Sequence, residues 1–365
     1  MRKILFKRKT WKRLGLSLLS LLLVLGAIFA YYWVTFIVLP DSVEEVQFES
    51  NGITISGSLI FPDDQPGPFP AVIILHGSRA ATRSEIAFTT QARAFIKKGF
   101  AVFIYDKRGT GESEGIFQRP NYENLMVDIK NAIDFLQSKP AIIPGAIGLA
   151  TNSESGYFAP QLASERPDLA FIYNRVAPVV SNQELVMYQM RIRMSEAYEN
   201  PEDVDEIMEL LNDYRQFFIK SDGDIDYFNR ERAALEKRMA ASWTKYAPNP
   251  LPYYSRIRNN DTAASEIHRI GFGFAYDPRI YFEKAFDTPM FYAFAEKDLN
   301  VPTEASVASL EKIMERNEHQ IEYKVWPNVA HGMVKVVYVF SGGHPPGYLH
   351  EMASWARRMV DRKMR

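Results

Sequence analysis

Ile147-Gly148-Leu149-Ala150-Thr151-Asn152-Ser153-Glu154-Ser155-Gly156 decides how this chain folds, because an apolar run ends there in a cluster of small residues around one serine. A helical pattern resumes at once through Tyr157, Phe158, Leu162 and Ala163. The stretch reads as strand, tight turn, helix. A serine at the tip of such a turn is held in a strained backbone conformation with its hydroxyl pointing away from the sheet. The residues two before and two after it must be small, because the strand and helix backbones nearly touch there. Those positions hold Thr151 and Ser155, where the pattern Gly-x-Ser-x-Gly has glycine. Leucine at either site is expected to overpack the turn, and glycine to be tolerated. The plainer reading is an ordinary strand-to-helix turn with Ser153 as a cap, and the rest of the chain decides between the two.

Upstream, residues from Val43 to Phe61 alternate (Val46, Phe48, then Ile53, Ile55, Gly57, Leu59, Phe61) around Asn51-Gly52. That dipeptide is the strongest short hairpin signal, so the sheet is expected to begin with an antiparallel pair. Ala71 to Leu75 is apolar throughout, as a strand covered on both faces must be, and ends in His76-Gly77-Ser78. A helical pattern from Ser84 to Lys98 leads to a strand, Phe100 to Tyr105, which runs into Asp106-Lys107-Arg108-Gly109-Thr110-Gly111-Glu112-Ser113. Leu125, Ile129, Ala132, Ile133 and Leu136 then share one helix face. Strands alternating with helices predict an α/β fold, a mostly parallel sheet with helices on both faces. Ser153 then follows the strand Ala146 to Ala150, at the sheet edge where open α/β sheets carry their sites.

After one more strand, Leu169 to Val176, the alternation stops. Ser181 to Phe282 is charged, rich in Met, Tyr and Phe, and helical in pattern. One helix start is clear: Asn200 as cap, Pro201 at the first position, Glu202 and Asp203 in the first turn, then Val204, Ile207, Met208 and Leu211 on one face. This reads as an inserted helical cap rather than an independent domain, because strand and helix patterns resume at Thr288–Ala295, Glu304–Glu315, Ile321–Trp326 and Leu349–Val360. The expected organisation is a basic segment (1–13), a transmembrane helix (14–39), an α/β core in two parts (43–180 and 283–365) and the cap (181–282).

With 365 residues, 47% of them hydrophobic, the chain has ample material for a core. Cysteine is absent, which excludes disulfides, thiolate zinc sites and cysteine nucleophiles. The net charge of −1 hides an asymmetry, for the first 13 residues carry seven Lys or Arg and no acid, leaving 36 basic against 44 acidic residues beyond them. That mildly acidic body argues against nucleic acid as a partner. The uncharged run Leu14 to Leu39 spans roughly 39 Å as a helix at about 1.5 Å per residue, enough to cross a hydrocarbon core of about 30 Å. The basic cluster is expected to stay in the cytoplasm and place everything after Asp41 outside, with Tyr31, Tyr32 and Trp33 at the interface. The rival is a cleaved secretory signal at Ala27-Ile28-Phe29-Ala30. Ile28 suits that site poorly, and apolar residues continue past it.

A serine hydroxyl is a poor nucleophile unless a base takes its proton and a third group orients that base. Two late strands end where such groups are needed: one runs into Glu296-Lys297-Asp298-Leu299-Asn300, the other into Pro327-Asn328-Val329-Ala330-His331-Gly332. Of the six histidines only His331 and His76 directly follow strands; His268, His319, His344 and His350 read as solvated or structural. Asp298 is favoured over Glu296 as orienter because it lies further into its loop, where a carboxylate can turn toward the histidine. The candidate catalytic set is therefore Ser153, His331 and Asp298.

The order and wording of His76-Gly77-Ser78, Tyr105-Asp106-Lys107-Arg108-Gly109-Thr110-Gly111, Asn152-Ser153-Glu154, Glu296-Lys297-Asp298 and Ala330-His331-Gly332 resemble the α/β-hydrolase superfamily. Within it they are most similar to bacterial serine esterases and peptidase-like hydrolases related to prolyl oligopeptidase and dienelactone hydrolase. The likeness covers about residues 43 to 363 and departs at the elbow, where Gly-His-Ser-x-Gly-Gly is usual. It implies an oxyanion hole from the backbone N–H of Glu154 and of Gly77 or Ser78, and free donors at a helix start suit that role. The expected protein is a membrane-anchored carboxylesterase acting on small-molecule esters or acyl groups without cofactor or metal. A serine peptidase or amidase, and a non-catalytic anchored binding protein, are the alternatives.

Other motifs fail. Gly109-Thr110-Gly111 lacks a phosphate-loop lysine. Asp222-x-Asp224-x-Asp226 has Tyr227 and Ala233 where a calcium loop needs glycine and glutamate. Asn260-Asp261-Thr262 fits a glycosylation sequon, a pattern common by chance. The pattern specifies no oligomeric state.

Overall fold

The computed structural model describes residues 2–63, 65–222, 224–243, 264–284, 286–316 and 320–365. The sequon at 260–262 and His319 lie outside these.

Eight strands form one sheet in the order β1-β2-β4-β3-β5-β6-β7-β8. They are β1 (Val43–Ser50), β2 (Ile53–Ile60), β3 (Phe69–Ile74), β4 (Ala101–Tyr105), β5 (Ile142–Asn152), β6 (Phe171–Arg175), β7 (Met290–Ala295) and β8 (Ile321–Trp326). The hairpin expected at Asn51-Gly52 is present: β1 and β2 pair antiparallel, Ser50 opposite Ile53, with Asn51 and Gly52 both at positive φ. β2 is also antiparallel to β4, and every other pairing is parallel. β5 starts earlier than its apolar pattern suggested, because Pro144-Gly145 interrupts the run without ending the strand.

Helices cover both faces. α3 (Tyr122–Gln137) and α4 (Ala159–Glu165) bury Leu125, Ile129, Ile133, Leu136, Leu162 and Ala163 in the core on one side. α2 (Ile86–Ile96) and the last helix, α10 (Tyr348–Lys363), bury Phe88, Phe95, Met352, Trp355 and Met359 on the other. α9 (Thr303–Arg316), between β7 and β8, places Leu310 in the first of these cores.

Between β6 and β7 run α5 (Asn182–Ala197), α6 (Pro201–Ser221), α7 (Ile225–Trp243) and α8 (Ala264–Ala275). The Asn200 side chain caps α6 as its sequence implies, accepting from the Glu202 N–H. Val204, Ile207, Met208 and Leu211 join Tyr214, Phe218, Phe228, Ile267 and Ile270 in a core of the helices' own. Buried Arg215 ties this layer to the body: it donates to Gln183 and Asn182, and Asn182 donates to the Tyr122 hydroxyl. The acidic turn is a helix start, since the Asp224 carboxylate accepts from the Asp226 and Tyr227 N–H groups.

At the amino end, α1 (Arg2–Tyr32) continues into a short π-helical turn, Trp33–Ile37. Leu16–Ile37 is long and apolar enough to cross a membrane; most of it stands outside the packed body, which it touches at its end through Tyr31, Thr35 and Phe36.

Candidate active site

Ser153 sits where β5 ends, at φ +54°, in the left-handed region that a non-glycine residue enters only when its surroundings hold it there. The turn continues as a 3-10 stretch, Ser153–Phe158, before α4 begins, so the helix starts later than the sequence pattern implied. Ser155 closes the turn on itself: its Oγ accepts from the Asn152 N–H (2.8 Å) and donates to the Asn152 carbonyl (3.2 Å). Thr151 is fully buried, and its hydroxyl donates to Asn174 Oδ1 at 2.7 Å.

These bonds correct one expectation. Glycine at 151 or 155 removes a buried hydrogen bond worth about 1 kcal/mol, so neither replacement is neutral. The tightest approach falls instead on Gly156, in the 3-10 stretch, where a Cβ would lie 2.1 Å from the Cβ of Ala177, just past β6, and 3.1 Å from Thr151 Oγ1. Gly156→Val should destabilise the chain by about 1–3 kcal/mol and abolish turnover by displacing the Ser153 hydroxyl. Thermal melts with ester assays check this, and a variant as stable and active as the parent would deny the contact.

The candidate base, His331, and its candidate orienter, Asp298, lie on two neighbouring loops and face Ser153. His331 Nε2 lies 3.0 Å from Ser153 Oγ, and His331 Nδ1 lies 2.8 Å from Asp298 Oδ2 and 3.1 Å from Oδ1. Asp298 is buried, and its Oδ1 also accepts from the Asn300 and Val301 N–H groups at 2.8 and 2.9 Å. A carboxylate only accepts, so Nδ1 carries the proton and Nε2 turns a lone pair toward the serine hydroxyl. Glu296, the rejected alternative, accepts from the Asn328 N–H instead. The inserted layer rests on the same loop, where Tyr188 donates to the Asp298 carbonyl and Gln189 to that of Asn300.

The proposed oxyanion-hole residues are also at hand. A Cβ on Gly77 would lie 3.6 Å from the Ser153 Cβ and 3.5 Å from the Asn152 carbonyl, so the Gly77 backbone passes against the turn. Ser78 follows it, half-buried. Among the described residues none accepts a hydrogen bond from the Gly77 or Ser78 N–H. Glu154 occupies the first turn after the serine, where N–H groups have no partner within the helix.

Two buried cations hold these pieces together, and sequence reasoning assigned neither a role. Lys107 donates to the Gly77 carbonyl and to Glu154 Oε2, both at 2.8 Å, joining the two backbone segments that flank the serine. Arg175, at the end of β6, donates to Asn152 Oδ1 at 2.8 Å and to the Gly332 carbonyl, linking the residue before Ser153 to the residue after His331. Asn152 in turn donates to the Leu75 carbonyl. The available signal was a cation at or close behind a strand end, Arg175 ending β6 and Lys107 two residues past β4.

His76, the other histidine that follows a strand, takes no part. It is buried between Phe88 and Tyr105, and burial, reinforced by the Lys107 charge, pushes its pKa down to about 3. His344 is likewise held neutral at about 3, mainly by burial, between the Met333 carbonyl and Thr90. His268 and His350 sit near the surface beside Asp222 and Ser354.

An eight-stranded, mostly parallel sheet with a strained serine after its central strand, and a histidine and an aspartate from its last two loops, defines an α/β-hydrolase. The chain belongs to the S15 peptidase family, whose model, described as X-Pro dipeptidyl-peptidase, matches residues 51–326. The matched stretch ends before His331. Among curated proteins the chain is similar to the thiohydrolase AneE of Aspergillus aculeatus, 36% identical over 114 residues, which cover 31% of this chain and 34% of that protein. It is also similar to the quorum-quenching protein AidA of Acinetobacter baumannii, 29% identical over 143 residues, covering 39% and 44%. The chain thus spans less than half the length of either relative. Among solved structures, the α/β-hydrolase GrgF from Penicillium sp. sh18 superposes with a TM-score of 0.53 at 18% identity, over 89% of this chain and 99% of that one.

Proposed function

We propose that the protein is a membrane-anchored serine hydrolase that cleaves carboxylic esters through an acyl-Ser153 intermediate. The carrying observation is the unbroken relay from Ser153 Oγ through His331 to buried Asp298. His331 takes the serine proton as Oγ attacks the ester carbonyl, and returns it to the departing alcohol; a water activated by the same Nε2 then releases the acid. The N–H groups of Glu154 and of Gly77 or Ser78 are positioned to take the oxyanion. No cofactor or metal is needed for these steps, and a small-molecule ester or acyl compound is the substrate class. The Met- and aromatic-rich inserted helices favour an apolar acyl or aryl group.

The family's description favours a second reading, release of dipeptides from X-Pro chains. Holding a free amino terminus calls for a carboxylate near the serine, and of the buried carboxylates beside it Glu154 is already paired with Lys107 and Asp298 with His331. This supports ester over peptide. Turnover of p-nitrophenyl esters without cleavage of X-Pro anilides is the expected result; the reverse preference would overturn the ester reading. Retention of both ligand binding and cell-surface location with neither activity would instead favour the non-catalytic binding protein.

The basic residues before Leu14 and the apolar helix that follows support an anchor with the body on the extracytoplasmic side. Protease added to spheroplasts should remove the body, and full protection would reverse the orientation.

A further inference from the structure

Four large apolar side chains follow His331 closely and are left uncovered by the fold. Val334, Val336, Val337 and Phe340 are 54, 93, 78 and 63% exposed. Their backbone is nevertheless fixed: Met333 beneath them is fully buried, and the Lys335 N–H donates to the Gly343 carbonyl, closing the base of the 3-10 turn Val336–Ser341. Single exposed apolar residues need no explanation, but a fixed turn that presents four together marks a surface meant to be covered.

What covers it is indicated by its neighbour. The Phe340 ring lies 5.8 Å from that of Tyr31, at the end of α1, and a Cβ on Gly342 would strike the Phe36 ring at 2.9 Å. The uncovered turn therefore abuts the place where the apolar helix leaves the body. On the other side of the same junction, Arg93 and Lys97 donate to the Thr35 carbonyl. With Lys98 they line a cavity of about 200 Å³ beside Phe36. Apolar tips next to a membrane span, with cations at its rim, match the boundary between acyl chains and anionic headgroups.

We infer that the Val334–Phe340 turn dips into the leaflet holding the anchor, so that Ser153 and His331 work at the membrane surface on acyl esters dissolved in the bilayer. Val334 is three residues from His331, at most roughly 11 Å along an extended chain. The relay then lies within one headgroup layer of its substrate. This rests on the anchored-hydrolase reading above and deepens it by naming where the substrate comes from.

The native chain has no cysteine. A single Val337→Cys can therefore carry an environment-sensitive fluorophore in the full-length protein, reconstituted into phosphatidylcholine–phosphatidylglycerol vesicles bearing nitroxide lipids. Glu315→Cys on α9, which packs on the opposite face of the sheet, is the reference. Quenching several-fold stronger at 337 than at 315 is the expected result. Protein that floats with the vesicles but quenches equally at both sites would keep the anchor and overturn the docking. Protein that does not float would remove both. Quenching that follows protein density rather than nitroxide would assign the turn to a second copy of the chain and likewise overturn docking. In activity, Val336→Asp/Val337→Asp should slow hydrolysis of a long-chain ester in vesicles by at least about tenfold while sparing a soluble aryl ester; an equal loss on both would contradict the inference.

Discussion

Asp298→Asn should lower kcat by about four orders of magnitude while leaving the fold intact. The reason lies in which oxygen does what. Asp298 Oδ1 accepts from the Asn300 and Val301 N–H groups, so an asparagine keeps its carbonyl there. Its NH2 then takes the place of Oδ2, 2.8 Å from His331 Nδ1, where only an acceptor nitrogen can meet it. The imidazole proton is forced to Nε2, the atom that faces Ser153 Oγ, and the base can no longer accept. Steady-state kinetics with a thermal melt on the same sample check this. A loss below about tenfold would mean that Asp298 does not set the His331 tautomer.

The second large effect falls on stability as well as rate. Lys107→Met removes the ammonium 2.8 Å from the Glu154 carboxylate, 7% exposed, and leaves it only half-exposed Arg119 at 4.0 Å, which should cost about 3 kcal/mol of folding free energy. Lys107→Met/Glu154→Gln removes both charges and should recover much of that stability. Activity should not recover with it, because the Gly77 carbonyl also loses its Lys107 donor and the segments flanking the serine are no longer tied. Denaturant midpoints for the single and double variants, beside ester turnover, separate the two effects. A double variant that regains full activity would reduce Lys107 to a counter-ion.

The contrast between these two sites shows what could be read in advance. Ser153 and Asp298 sit just past apolar runs and His331 five residues past the last strand, so alternation of strands and helices was enough to send them to one sheet edge. The Asn51-Gly52 hairpin and the Asn200 cap were legible because their chemistry is local, written within a few residues. Lys107 and Arg175 were not, because their partners lie 47, 30, 23 and 157 residues away and only tertiary burial turns a charged loop residue into a brace. Gly156 was missed for a related reason. The elbow pattern directs attention two residues either side of the serine, whereas the contact that demands glycine is with Ala177, beyond the next strand. Ser155 and Thr151 show the converse: they look like imperfect glycines and are instead hydrogen-bonded parts of the turn.

The claim that Ser153 is an activated nucleophile is tested most directly by a fluorophosphonate, which forms a stable bond only with a serine whose proton is taken by a positioned base. The full-length protein should be labelled, with the adduct mapped to Ser153 and absent from Ser153→Ala. A native chain that stays unlabelled under conditions that label a control esterase would contradict the account.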